Sequence, residues 1–255
     1  MKTICCCLEK GGSAKTSTAH ALGASLAHDG KKVLFVDLDP QGNLSTVLGD
    51  TIEMTSGDVL VGEAGIDEAI VHKELWDILG ADRGNAKVER KIGDELGREA
   101  RLKEALEEVE GDYDYVIIDT PPQLGLLTIN ALTASDWVVI PAQTDIFALE
   151  GIANLGKTIK TVQQYSNPNL RIAGVLLTRY NGRTNLAKLA SEQARELAEE
   201  IGTSLFDTRI REGIAVREAQ AVGEDIFAYA PKSNPAKDYA AWINELKTME
   251  VLGNE

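Results

Sequence analysis

The sequence predicts a doubly wound α/β fold, a mostly parallel β-sheet with helices on both faces. Short runs such as VLFVD, YVIID, WVVIP and IAGVLL are apolar throughout, as expected of parallel strands that are covered on both sides. Longer segments of helical period separate these runs, and such alternation is typical of this fold class. No internal repeat or Pro/Gly-rich linker divides the chain, so we expect residues 1–255 to form a single domain.

The elements follow from these patterns in chain order. The predicted strands are Thr3–Leu8, Lys32–Asp37, Leu75–Leu79, Tyr115–Asp119, Trp137–Pro141, Arg171–Leu177 and a weaker one near Ser204–Phe206. The predicted helices are Lys15–His28, Val88–Val109, Leu124–Ala134, Leu149–Tyr165, Asn185–Glu200 and Ala236–Met249. In an open α/β sheet, ligands bind beyond the carboxyl ends of the strands, so the residues that follow each strand are the first candidates for a site.

A glycine-containing loop, KGGSAKT at Lys10–Thr16, joins the first strand to the first helix. In this context backbone N–H groups and the helix dipole attract an anion, and Gly11 and Gly12 let the backbone approach phosphate oxygens. Lys15 would lie against the β- and γ-phosphates, and Thr16 would offer its hydroxyl to Mg²⁺. The segment therefore predicts a phosphate-binding loop.

The loop departs from the strict pattern G-x-x-x-x-G-K-[ST] at Glu9 and Ala14. Its assignment as a phosphate-binding loop therefore needs support from the residues at the ends of later strands. Asp39 follows the apolar strand of VLFVDLDPQGN and would orient or deprotonate the attacking water; a turn aspartate before proline is the alternative. Asp119 ends YVIID, the Walker B arrangement that holds Mg²⁺. Together the three elements predict a P-loop NTPase that binds and hydrolyses a nucleoside triphosphate with Mg²⁺.

The formal net charge of −14 argues against a protein that coats nucleic acid over its whole surface. The charge is uneven, however, because the segment 151–190 contains no acidic residue. Its basic residues are Lys157, Lys160, Arg171, Arg179, Arg183 and Lys188. They form either a basic face or an ordinary set of solvated cations. No apolar run reaches the 18 or so residues of a membrane span and no signal peptide is visible, so we expect a cytoplasmic protein.

The loop, with a lysine at its start, resembles the deviant Walker A motif of the ParA/MinD family of ATPases. The chain is most similar to the ParA/Soj DNA-partition ATPases, through KGGSAKTSTAHALGASLAHDGKKVLFVDLDPQGN and DYDYVIIDTPPQLGLLTINALTASDWVVIPAQ, and more loosely through LLTRYNGRTN and YAPKSNPAKDYAAWINEL. The resemblance implies that Lys10 is the family's extra lysine, which reaches across an ATP-sandwiched dimer to the partner's nucleotide, and that Gly11 lies at the dimer seam.

The resemblance also implies a set of site residues. The catalytic residues would be Lys10, Lys15 and Asp39, and the metal-binding residues Thr16, Asp39 and Asp119. The nucleotide would contact Lys10, Gly11, Gly12, Ser13, Ala14, Lys15, Thr16, Ser17, Thr178, Tyr180, Arg209 and Arg211. The charge pattern of the segment 151–190 adds Lys157, Lys160, Arg183 and Lys188 as candidate DNA contacts, and the resemblance adds Arg217. Ala14 stands where the family usually has glycine, and we expect its methyl group to be tolerated if its φ stays negative.

The function that the resemblance implies is partition or positioning of a cargo. ATP would close a homodimer that binds DNA without sequence preference and so associates with the nucleoid, and a ParB-like partner or an adaptor would stimulate hydrolysis. The cargo would be plasmid or chromosomal DNA, or a protein assembly. Because the chain begins at its first strand, we expect no N-terminal helix-turn-helix extension.

Three other functions are weighed against this one. Membrane positioning of the MinD type needs a basic amphipathic C-terminal helix, whereas the tail INELKTMEVLGNE is acidic. An iron–sulfur relative needs cysteines beyond the loop, and none follows Cys7. A small-molecule ligase of the same superfamily also remains an alternative.

Overall fold

The computed structural model describes residues 1–49, 52–182 and 185–253. A seven-stranded sheet forms its centre, in the order β3-β4-β2-β5-β1-β6-β7. The neighbouring strands are parallel except for β3, which runs antiparallel to β4 at one edge. The strands are β1 (Lys2–Cys6), β2 (Val33–Asp37), β3 (Ile70–His72), β4 (Asp77–Leu79), β5 (Tyr115–Asp119), β6 (Trp137–Ala142) and β7 (Arg171–Leu177).

Helices connect and cover these strands. They are α1 (Lys15–His28), α2 (Asn43–Leu48), α3 (Ser56–Val61), α4 (Ile66–Ala69), α5 (Val88–Ile92), α6 (Arg101–Glu108), α7 (Leu126–Ala134), α8 (Ile146–Tyr165), α9 (Asn185–Glu200), α10 (Ile214–Val222), α11 (Ile226–Tyr229) and α12 (Asn234–Thr248). A 3₁₀-helix, Arg83–Lys87, precedes α5. The predicted fold class is thus confirmed.

Two predicted elements differ from the structure. The helix predicted over Val88–Val109 is two helices, because the chain turns between α5 and α6, where Gly97 has a φ of +75°. The weak strand near Ser204–Phe206 is an isolated bridge between Leu205 and Val175. The antiparallel edge strand β3 and the short helices α2, α3, α4, α10 and α11 were not predicted, since segments this short carry little periodicity.

Two apolar clusters lie on opposite faces of the sheet. One contains side chains of α3 to α9, and the other side chains of α1, α2 and α10 to α12. The three consecutive cysteines alternate between the two clusters, because successive side chains of a strand point to opposite faces of the sheet. Cys5 and Cys7 belong to the first cluster and Cys6 to the second. All three are buried with free thiols, so they pack as small apolar side chains.

The parallel register brings the ends of the three central strands together. Cys6 of β1 and Asp37 of β2 both stand opposite Asp119 of β5. The loops that leave these strands therefore share one edge of the sheet, where the phosphate-binding loop and the predicted carboxylates meet. In the described part of the chain, every helix is too short or too polar to cross a membrane.

Candidate active site

The loop between β1 and α1 is held in a conformation that contains two left-handed residues. Gly12 has a φ of +76°, and Ala14, the residue before α1, has a φ of +69° and a ψ of +27°. The negative φ under which the methyl group of Ala14 was expected to be tolerated is thus absent. The backbone of Ala14 turns the chain into the helix, and its carbonyl accepts from Thr18 N at 2.9 Å. For alanine this region costs about 1 kcal/mol relative to glycine.

Lys15 lies inside this loop and is only 7% exposed. Its Nζ donates to the carbonyl oxygens of Lys10 at 2.9 Å and Leu8 at 3.3 Å. Burial lowers the pKa of Lys15, and the nearby carboxylates of Asp119 and Asp39 act in the opposite direction. The ammonium group is thus bound by neutral carbonyls, in a position where phosphate oxygens would bind it more strongly.

Thr16 and Asp119 meet at the start of α1. Thr16 Oγ1 donates to Asp119 Oδ2 at 2.6 Å, and Asp119 is completely buried. Its other oxygen, Oδ1, accepts no hydrogen bond from any described residue. Burial raises the pKa of Asp119 well above its usual range, and the adjacent Asp37 raises it further. An uncompensated buried carboxylate beside a hydroxyl fits a divalent cation, so Thr16 and Asp119 are suited to hold Mg²⁺.

Asp37 is a site residue to which the sequence analysis assigned no role. It is fully buried and accepts three hydrogen bonds, from Asp39 N at 3.0 Å, Ser45 N at 2.9 Å and Ser45 Oγ at 2.9 Å. Burial raises the pKa of Asp37 to about 6 in spite of these donors. The signal was present in the sequence, because Asp37 ends an apolar strand just as Asp119 does.

Asp39 lies two residues beyond β2 and is 7% exposed. Its Oδ1 accepts from Gln41 N at 2.9 Å, which fixes the side chain at the turn. It lines a cleft of about 350 Å³ together with residues from Pro121 to Leu127 and from the segment around Asn85. The carboxylate thus has a solvent-connected space beside it, as a residue that orients water requires.

Lys10 is bound to a partner that the sequence analysis did not anticipate. Its ammonium group forms an ion pair with Asp145 Oδ2, and its side chain is only 19% exposed. Asp145 also caps α8, because its Oδ1 accepts from Phe147 N and Ala148 N, both at 3.1 Å. Burial by itself would raise the pKa of Asp145, but the hydrogen bond from Lys10 lowers it.

The residues assigned to nucleotide recognition have distinct surroundings. Thr178 is fully buried, and its Oγ1 donates to Ser13 O at 3.0 Å, so it supports the loop. The guanidinium of Arg209 lies over the Tyr180 ring, 5.4 Å from its centroid. Arg211 donates to Asp238 through Nε at 2.9 Å and Nη2 at 2.6 Å.

A small pocket lies beside the loop, between these elements. Ala14, Ser17, Thr178 and Arg211 are among the residues that line it. Ser17 Oγ is held by Gln220 Nε2 of α10 at 3.0 Å. The pocket adjoins the phosphate-binding loop and has a volume of about 50 Å³, so it has room for only part of a nucleoside.

The residues assigned to DNA are not all on one side of the molecule. Lys157 and Lys160 of α8 and Lys188 of α9 are exposed on two helices that pack against each other on the same face of the sheet. Arg217 is exposed on α10, which packs on the other face. Arg183 lies outside the described residues.

Known proteins resemble the chain in sequence over most of its length. A protein-family model described as an AAA domain matches residues 1–172. The chain is 43% identical over 250 residues to the sporulation initiation inhibitor protein Soj of Bacillus subtilis, covering 96% of this chain and 98% of Soj. It is 40% identical to the chromosome partitioning protein ParA of Caulobacter vibrioides, covering 95% of this chain and 92% of that protein.

Solved structures resemble the fold over nearly its whole length. Cobyrinic acid a,c-diamide synthase from Mycobacterium smegmatis, with bound ADP and magnesium, is 33% identical with a TM-score of 0.84, covering 97% of this chain and 94% of that one. The cell division ATPase MinD of Pyrococcus furiosus is 27% identical with a TM-score of 0.79, covering 97% and 99% of the two chains. The protein is an ATPase that uses ATP and Mg²⁺. The chain belongs to the ParA/MinD family of P-loop ATPases, on its Soj/ParA branch.

Proposed function

We propose that ATP binding closes a homodimer of this chain, that the dimer binds DNA without sequence preference, and that hydrolysis releases it to position a cargo. The observation that carries the proposal is the placement of Lys10 at the rim of the loop. Its ammonium group is bound by Asp145, whereas Lys15 occupies the inside of the same loop. A second cation therefore lies outside the position that Lys15 occupies, and it would reach the nucleotide of another subunit once its ion pair with Asp145 opens.

The surface beside Lys10 supports this arrangement. Gly11 is exposed, and a Cβ added to it would have no described atom within 4 Å. Phe147, on the first turn of α8, is 68% exposed next to Asp145. An open backbone and an apolar ring at the mouth of the loop suit contact with a second subunit. A lysine from that subunit would stabilise the charge that develops on the transferred phosphoryl group.

The residues of one subunit divide the chemistry among them. Lys15 would bind the β- and γ-phosphates, and Thr16 and Asp119 would hold Mg²⁺, which when bound neutralises phosphate charge. Asp39 would orient the attacking water from its cleft. The backbone from Gly11 to Ser17 would cradle the phosphates, and the pocket beside Thr178 and Arg211, with the Tyr180–Arg209 pair, would receive the nucleoside.

DNA binding would use the face formed by α8 and α9. Lys157, Lys160 and Lys188 are exposed there, and the α8 sequence from Gly151 onward contains no carboxylate. Contacts between lysines and phosphates require no base recognition, which suits binding to arbitrary duplex DNA. In the ATP state the protein would then associate with the nucleoid within the cytoplasm, and a ParB-like protein or an adaptor would stimulate hydrolysis.

The relatives support one class of cargo. The Caulobacter protein is named for chromosome partitioning, so plasmid or chromosomal DNA is the proposed cargo, with a protein assembly as the alternative. The ligase alternative has a relative in cobyrinic acid a,c-diamide synthase, but at 33% identity against 43% for Soj. MinD-type membrane binding is disfavoured because Val251 and Leu252, the apolar residues after α12, are buried.

A gel-shift assay tests the proposal. The protein is incubated with duplex DNA of arbitrary sequence at low salt, with ATP, ADP or no nucleotide. We expect retardation with ATP alone, its disappearance as salt is raised, and no retardation with Lys15→Ala. Absence of any ATP-dependent shift at low salt would exclude the DNA-binding step and favour the alternatives that need no DNA.

A further inference from the structure

We infer that Ser56 and Asn85 are positioning residues for ATP hydrolysis, which act on Asp39 through the end of β2. The inference rests on the role proposed for Asp39. The two residues come from separate segments, the start of α3 and the 3₁₀-helix Arg83–Lys87. Both are buried, with exposed fractions of 0% for Ser56 and 1% for Asn85.

A directed chain of hydrogen bonds links these residues to the strand end. Asn85 Nδ2 donates to Ser56 Oγ at 2.8 Å, and Ser56 Oγ donates to the carbonyl oxygen of Asp37 at 2.6 Å. Asp37 Oδ1 accepts from Asp39 N at 3.0 Å. The side chain of Asn85 is thus connected through three hydrogen bonds to the backbone that carries the Asp39 carboxylate.

Other contacts hold these hydrogen-bonded side chains in place and leave little room for rearrangement. Asn85 Oδ1 accepts from Gly57 N at 3.2 Å. A Cβ at Gly57 would lie 2.5 Å from that oxygen, so glycine is needed for the approach. On the other side of the strand end, Ser45 Oγ donates to Asp37 Oδ2 and accepts from Ala81 N, both at 2.9 Å. Asp37 is therefore bound at both its carbonyl and its carboxylate.

The position of Asp39 depends on this anchoring because the residue lies in a turn beyond the strand. Its own side chain is held only locally, by Gln41 N, among its described contacts. Catalysis by a water-orienting carboxylate is sensitive to displacement, and a shift of 1 Å can cost about 100-fold in rate. Loosening the Asp37 carbonyl should thus slow hydrolysis, whereas ATP binding, which uses Lys15 and Thr16 across the site, should persist.

The test compares Ser56→Ala and Asn85→Ala with the matched control Ser135→Ala. Ser135 is also a buried serine, 2% exposed, and its Oγ donates to the carbonyl of Ala131 at 2.6 Å. It precedes β6 and therefore lies at the amino ends of the strands, away from the candidate site at their carboxyl ends. For each variant, kcat for ATP hydrolysis, the Kd of a non-hydrolysable ATP analogue and Tm are measured. We expect kcat to fall about tenfold in both network variants with Kd within about twofold of the parent. Ser135→Ala should keep the parent kcat.

The variant Asp39→Ala tests the proposed role of Asp39 separately from the role inferred for Ser56 and Asn85. If Asp39→Ala hydrolyses ATP at the parent rate, the proposed role of Asp39 is wrong. If Asp39→Ala is inactive while folded Ser56→Ala and Asn85→Ala turn over like the parent, the positioning role is excluded. A parallel loss of analogue binding and kcat in both variants, or a failure of both to fold, would mark the residues as structural and overturn the inference too. The double variant Asp39→Ala/Ser56→Ala should be no slower than Asp39→Ala alone.

Discussion

Asp145 binds the ammonium group of Lys10 and at the same time caps the N-terminus of α8. The lysine proposed to reach a second subunit is therefore bound within its own subunit. For Lys10 to reach the nucleotide of a second subunit, as proposed, this ion pair has to open. The pair would thus oppose the proposed dimer closure by the free energy needed to separate two partly buried charges.

The first prediction concerns Asp145→Asn, which removes the charge but keeps a side chain that caps helices well. We expect the ATP-bound dimer to form at about 30-fold lower protein concentration, because each of the two subunits loses an ion pair that at this exposure is worth ~1 kcal/mol, or ~2 kcal/mol per dimer. Sedimentation velocity with ATP in an Asp39→Ala background would measure this without hydrolysis. As a control, Glu63→Gln breaks the exposed Lys91–Glu63 pair and should leave dimerisation unchanged. A weaker dimer in Asp145→Asn would contradict the proposal that the Lys10–Asp145 ion pair opposes dimer closure.

The second prediction concerns Lys15→Ala, for which we expect ATP affinity to fall by about 100-fold or more, since alanine cannot make the charge-assisted hydrogen bonds to two phosphates. Tm should change little, because the cost of burying the ammonium group offsets the two hydrogen bonds that it donates to carbonyl oxygens. Isothermal titration with an ATP analogue and a thermal melt measure both quantities. Normal ATP binding by a folded Lys15→Ala variant would refute the assigned role.

The third prediction follows from the left-handed backbone of Ala14. Ala14→Gly should raise stability by about 0.5–1 kcal/mol, or Tm by about 2 °C, because strain in the folded state outweighs the entropy that glycine adds to the unfolded chain. Gly202→Ala is the reverse control, since Gly202 has a φ of +84° and open space around an added Cβ, and it should destabilise. A drop in Tm for Ala14→Gly would mean that the methyl group makes a favourable contact.

The sequence predicted the central strands and the ATP site because both depend on local pattern. Apolar runs that end in aspartate and a glycine loop before a helix are visible in one dimension, and parallel pairing then brings Asp119 to the loop. Asp145 and Asn85 were not predicted, because their partners are 135 and 29 residues away and only the fold brings them together. The positive φ of Ala14 was not predictable from the sequence, since the geometry of the loop overrides the preference of alanine for negative φ.

The fourth prediction concerns pH and His20, which packs edge-on against Phe35 and Trp76. Burial lowers the pKa of His20 to about 4, so between that value and its ordinary pKa the unfolded chain binds a proton that the folded protein excludes. The neutral, buried His20 thus contributes fully to the free energy of unfolding above the pKa that histidine has in the unfolded chain. This contribution is lost as pH falls toward 4. Relative to His20→Phe, the parent should lose roughly 2 kcal/mol more between pH 7 and pH 5.

Urea denaturation at pH 7 and pH 5 measures the free energy of unfolding of both proteins. Asp37 contributes in the opposite direction, because its raised pKa favours the folded state as pH falls, but this contribution is the same in both proteins and cancels in the comparison. Identical pH dependence for His20→Phe and the parent would show that the pKa of His20 is not lowered in the folded protein.

The last prediction separates the two faces of the sheet as DNA-binding surfaces. If α8 and α9 bind phosphates, Lys157→Ala/Lys160→Ala should weaken ATP-dependent DNA binding and lower the slope of log K against log salt by about 0.9 for each phosphate that the variant no longer neutralises. Lys31→Ala/Lys32→Ala removes the same charge from the loop before β2 and should lower affinity only slightly, through the change in net charge. Fluorescence anisotropy over a salt series measures both effects. Arg217→Ala tests the other face: a reduced slope in this variant, with an unchanged slope in the double lysine variant, would move the DNA-binding surface from α8 and α9 to α10.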